Sequence, residues 1–146
     1  MADYSRKRVS LSTLLASVKA LLVDGYSEWV VKEYPNTNMS DLFMYLKSIT
    51  HVPACILTYT TGTAPDDVPQ RTLTFNVVVV TRYLTNTETA ISQLQTLIEK
   101  AITLLDYQIA NSYVQIRFQN DESIQLDRGS LLTASKLNFE ARDYSI

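Results

Sequence analysis

Glycine is scarce in this chain, with three among 146 residues. That scarcity excludes the glycine-rich loops with which P-loop and dinucleotide-binding folds bring backbone N–H groups up to phosphates. A single histidine, His51, and a single cysteine, Cys55, are too few to assemble a typical zinc site within one chain, and the lone thiol has no partner for an intrachain disulfide. Cys55 lies between Ala54 and Ile56 in an expected strand, so a buried structural thiol in a reducing cytosol is the expectation. His51 precedes Val52-Pro53 at an expected helix end, where an imidazole serves terminal carbonyls. No Gly-x-Ser-x-Gly or cysteine-centred signature supplies a nucleophile. The acid pairs Asp66-Asp67 and Asp121-Glu122 fall in expected turns, where solvated carboxylates lack the pKa separation that acid/base catalysis needs. The expectation is therefore no enzyme, no catalytic residue, no metal and no cofactor.

An excess of one charge is also missing. The net charge of -2 argues against a protein whose task is to neutralise nucleic-acid phosphates, so no sequence-specific nucleic acid is expected as a partner. One local basic run, Arg6-Lys7-Arg8, reads either as a solvated arm ahead of a helix or as a contact to an acidic partner surface. Four consecutive valines, Val77 to Val80, are far short of the roughly 20 apolar residues that cross a bilayer as a helix, so no membrane role is expected and protein must cover them. The opening stretch as far as Val23 is periodic and interrupted by Lys19, unlike the apolar core of a signal peptide. With 46% hydrophobic and 19% charged residues, the chain is expected to be one domain burying about 70% of its extended surface.

What is present is strong periodicity. Leu14, Leu15, Val18, Leu21 and Leu22 recur at helical spacing, with Ser10 placed to cap the start and Asp24-Gly25 to end it. Tyr26 to Pro35 reads equally as a short strand or a helical turn. Ser40-Asp41 can open a short helix carrying Leu42, Phe43, Leu46 and Ile49. A strand through "PACILTYTTG", a polar loop from Gly62 to Gln70 and a second strand, Arg71 to Tyr83, read as a hairpin. In that second strand Leu73, Phe75, Val77 and Val79 share one face, and the other passes from polar at Thr72 to apolar at Val78 and Val80. A helix from about Thr87 to Leu105 carries the stripe Ile91, Leu94, Leu97, Ile98, Ala101, Ile102, Leu105. A strand with Val114, Ile116 and Phe118, a tight turn at "NDES", a short strand at Ile124 to Leu126, a turn at Asp127-Arg128-Gly129 and a long closing strand complete the chain. This order predicts an α+β domain: an antiparallel sheet of four to five strands with the long helix on one face and N-terminal helices beside it. The nine tyrosines suit either an interface or ordinary strand ends, as at Tyr59, Tyr83 and Tyr113.

The same layout, with "VPACILTYTTG", "RTLTFNVVVVTRY" and "TETAISQLQTLIEKAITLLD" in sequence, resembles the tail terminator, or tail completion, proteins of long-tailed bacteriophages. Where that family has Gly-Gly after the first strand, this chain has Thr60-Thr61-Gly62. The resemblance implies a late virion assembly protein, made in the host cytoplasm and located at the tail end or neck. Such a protein forms a homo-oligomeric ring, commonly a hexamer, that caps the tail tube, stops its polymerisation and supports head-tail joining. Its partners would be itself, the tail tube protein and neck or head-completion proteins, with genome DNA passing through the ring. Within this chain the expected subunit or tube surface is Val78, Val80, Arg82, Gly62, Asp66, Asp67, Gln70 and Arg71, and the expected partner contact is Arg6, Lys7 and Arg8. A head-completion or neck protein, or a small ligand-binding regulatory domain, are the alternative readings.

Overall fold

The computed structural model describes residues 11–34, 44–45, 52–63, 71–82, 87–111, 114–124 and 132–143. They form α1 (Leu11–Gly25), β1 (Val30–Glu33), β2 (Ala54–Thr63), β3 (Arg71–Arg82), α2 (Thr87–Leu105), β4 (Ile109–Asn111), β5 (Val114–Ile124) and β6 (Leu132–Asp143). The six strands make one sheet in the order β1-β2-β3-β6-β5-β4. The class is α+β, and the sheet is mixed where antiparallel pairing throughout was expected. β1 runs parallel to β2, with Val30 opposite Ala54, while every other neighbour is antiparallel. A parallel neighbour is joined by a distant crossover, so no short turn motif could announce it.

The ambiguous stretch after α1 resolves through Trp29. Its indole N–H donates to the Leu22 carbonyl at 2.8 Å, satisfying a helix-terminal acceptor, and its ring meets Tyr26 edge-on at 5.1 Å. That buried anchor turns the chain from helix directly into β1. Gly25 ends α1 against α2, where a Cβ would collide with the Leu104 side chain. The "NDES" turn is a correction: Asn120 to Ser123 lie inside β5, paired with Asn138 to Ser135 of β6. A bulge between Phe118 and Asn120 inserts one residue and reverses the alternation. Val114, Ile116 and Phe118 therefore share one face with β6 Phe139, while Asn120, Glu122 and Ile124 sit on the opposite one. Four polar residues in a row look like a turn because the pattern on either side of a bulge is out of phase.

The sheet's first face packs on both helices. Leu14, Val18 and Leu22 of α1 and Leu97, Ile98, Ala101 and Leu105 of α2 form one buried cluster with Leu73, Phe75, Val77, Val79, Leu137 and Phe139. Phe75 and Phe139 are directly opposite in register and stack at 5.4 Å, with Phe118 edge-on to Phe139 at 5.5 Å. At about 1.5–3 kcal/mol for each fully buried large apolar side chain, this layer dominates the folding free energy. Cys55 is fully buried in the same cluster, and loss of water pushes its thiol pKa far up.

Candidate interface

The second face of the sheet is graded along the strands. At one end Ala54, Ile56, Val78, Val80, Ile124 and Ala134 make a small buried cluster, covered by Tyr34, Tyr45, Val52 and Leu132. Tyr34 and Tyr45 stack at 4.5 Å. The middle is polar. Asn76 Nδ2 donates to Thr58 Oγ1 at 3.1 Å, Asn76 stands opposite Asn138, and Asn138 Nδ2 donates to Asn120 Oδ1 at 2.6 Å. One row nearer the apolar end Lys136 lies 3.9 Å from Glu122, and at the far end Arg142 pairs with Glu140 at 2.7 Å.

Two unlike corners flank this face. At the β1 edge Val30 is exposed, and Lys32 and Glu33 follow it. At the opposite edge the α2–β4 turn carries Tyr107 and Ile109, 60% and 62% exposed. The Arg117 guanidinium lies 3.9 Å from the Tyr107 ring centroid and donates to its hydroxyl at 2.9 Å. Asp106 Oδ1 accepts the Phe118 N–H at 2.8 Å and stands 3.5 Å from Arg117 Nε. Near the other corner, Tyr26 donates to Glu28 at 2.6 Å, and the bond to that carboxylate raises its pKa, with burial adding to the shift.

Of the residues singled out in the sequence, the described ones lie towards the two ends of the β2–β3 pair. Val78 and Val80 are fully buried within the chain, so they offer no subunit surface; their cover is the second cluster, and α1 lies on the other face. Arg82 is exposed at the end of β3, opposite Leu132. Gly62 pairs with Leu73, and Arg71 with Asp143. Asp66, Asp67 and Gln70, the basic run Arg6-Lys7-Arg8, His51 and Asp127-Arg128-Gly129 lie outside the described residues, and of the short helix expected from Ser40 only Met44 and Tyr45, both helical, lie within them. Tyr107, Ile109 and Val30 were not singled out. The one sequence signal for Tyr107 was a bulky aromatic directly past a helix end, where glycine is usual.

An open cavity of about 600 Å3 lies between α2 and the far end of β5, lined by Ser92, Gln95, Thr96, Ile98, Glu99 and Asp121. These are hydroxyl, amide, carboxyl and alkyl groups with no histidine, thiol or cation among them. Among the described residues no group of three His, Cys, Asp or Glu side chains could hold a metal, and no helix is long and apolar enough to cross a membrane. Comparison of the chain with family models and with curated proteins finds no match in either.

Proposed function

We propose that this protein is a non-enzymatic assembly protein of a long-tailed phage, forming a ring that caps the tail tube and presents the surface for head-tail joining. The observation that carries the reading is a single sheet whose two outer strands among the described residues, β1 and β4, are unlike. Head-to-tail association into a closed ring requires two different patches on each subunit, and this sheet offers one at β1 and another at β4. The order β2, β3, α2 and closing strands, which resembles the layout expected of the tail terminators, supports the same reading. The bound ring occupies the positions to which further tube subunits would add, so growth stops by occlusion.

The segment from Gly62 to Gln70, which begins in the last two residues of β2 and leads to β3, is the one assigned to the tube end or lumen. Shortening it should leave the cooperative unfolding transition in place while tails become overlong or fail to join heads. Particles of normal length and normal joining from that deletion would remove the loop from the mechanism.

A further inference from the structure

Tyr107 adopts φ 65°, a left-handed conformation that residues with a side chain seldom take. It follows the last turn of α2, where the Asp106 N–H donates to the Ile102 carbonyl and the Tyr107 N–H to the Ile116 carbonyl, each at 2.8 Å. Glycine fits such a position without strain. Burial does not account for a tyrosine here, since the residue is largely exposed. Its ring packs against the Arg117 guanidinium, which also donates to its hydroxyl, and Ile109 beside it is equally exposed. An exposed aromatic in a strained backbone conformation, packed against a guanidinium and next to an exposed aliphatic, is the composition of an interface anchor.

The diagonally opposite corner supplies the complement. Val30 on β1 is 36% exposed, and Val23 at the end of α1 is 44% exposed. We propose that the two corners are the halves of one contact between copies of this chain: the β4 edge of one copy lies beside the β1 edge of the next, with Tyr107 and Ile109 against Val30. This rests on the ring reading above and names its interface.

Three features of the fold favour this pairing. The alternation of strand senses makes β1 and β4 run in the same direction, so a head-to-tail continuation sets them parallel, whereas a two-fold contact would pair β1 with β1 or β4 with β4. Val30 shares its face with Ala54 and Val80, and Ile109 shares its face with Gln115, Arg142 and Thr72, which is the same face of the sheet. The stagger is consistent with closure. The row of Val30 crosses β3 at Val80 and that of Ile109 at Thr72, an offset of eight residues or about 26 Å along the strands. Six strands together with the join to the next copy span roughly 29 Å across. Bringing the two corners side by side thus inclines the strands by about 40° to the ring axis, within the 35–45° at which sheets close on themselves. With four and three residues in the two strands, each contact has few backbone hydrogen bonds, so side-chain anchoring must carry much of it.

Cysteine cross-linking of the full chain tests the contact, with Cys55 silent because it is fully buried. Val30→Cys and Ile109→Cys are made separately, mixed and mildly oxidised. The mixture should give disulfide-linked dimers while neither variant does so alone, and the double variant should give a ladder ending at the ring size. Dimers from either single variant alone would show a two-fold contact and overturn the proposal. Absence of cross-links from the mixture, with light scattering still reporting a ring, would overturn this interface and leave the ring reading standing. A chain that stays monomeric at every concentration overturns the contact, and the ring reading is then decided by the loop deletion. Tyr107→Gly separates anchoring from folding: it should keep the wild-type melting temperature or raise it while shifting the ring to monomer by tenfold or more in concentration. A Tyr107→Gly ring as tight as wild type would overturn the role of Tyr107.

Discussion

The two faces of the sheet are built from the same strands and obey different physics. On the helix side, Leu73, Phe75, Val77 and Val79 of β3 and Leu137, Phe139 and Ala141 of β6 form an unbroken apolar stretch, and two helices exclude water from it. On the other side the same strands pass from a buried apolar cluster through an amide ladder to ion pairs. The first face supplies free energy by area, which is insensitive to detail until a cavity opens. The second gains little from area and depends on each polar group finding its partner, which fixes strand register more tightly than it adds stability. The comparison teaches that the four valines of β3 do two jobs: Val77 and Val79 belong to the large core, Val78 and Val80 to the small one.

The sharpest way to break this contrast is Phe75→Ala. Phe75 is fully buried and stacked on Phe139, and removal of the ring should lower unfolding free energy by about 3–5 kcal/mol. Urea denaturation followed by circular dichroism reads the change. A loss below about 1 kcal/mol would mean that the helix-side layer is not the dominant core.

How far these faces were legible in the sequence depends on range. The alternation Leu73-Phe75-Val77-Val79 assigned one side of β3 directly, because a strand places every second side chain on one face. The fading of polarity toward Val78 and Val80 likewise showed that part of the other side needed cover. What supplied the cover was not legible, since Tyr34, Tyr45, Val52 and Leu132 come from segments distant in the chain. β1 escaped assignment because its partner β2 lies some twenty residues onward and its own four residues carry only one buried side chain. The β5 bulge hid four strand residues, Asn120 to Ser123, behind a turn-like composition. The corners were least legible of all: exposure of Val30, Tyr107 and Ile109 is a property of the sheet's ends, and no local pattern marks which strands will be edges.

A second experiment probes the polar ladder. Asn76 is 4% and Thr58 3% exposed, and the amide of one donates to the hydroxyl of the other. Asn76→Ala strands the Thr58 hydroxyl in a buried site, so about 1–3 kcal/mol should be lost. Thr58→Val in the same background removes the stranded group, and part of that loss should be recovered. A double-mutant cycle on chemical denaturation measures the coupling. Additive losses would show that the two side chains do not depend on each other, and the second face would then be energetically an ordinary polar surface.

The smallest effect belongs to the charged rows of that face. Lys136 Nζ stands 3.9 Å from Glu122 Oε2, near the limit of an ion pair, and the Glu122 side chain is 58% exposed. Water screens such a pair and its long side chains lose rotamer freedom in forming it, so Glu122→Gln should change stability by less than about 1 kcal/mol. Added salt should reduce even that difference, since the Debye length falls from about 10 Å at 0.1 M to about 3 Å at 1 M. The pair nevertheless lies just past the bulge, where Glu122 could face Lys136 only after the alternation of β5 has been reversed. Its role in this fold is to favour one register over a slipped one, and hydrogen exchange at the amides of residues 120–124 is the sensitive measurement. Faster exchange there in Glu122→Gln, with global stability unchanged, would separate register from stability; uniform exchange would assign the register to the bulge and the Asn120–Asn138 hydrogen bond alone.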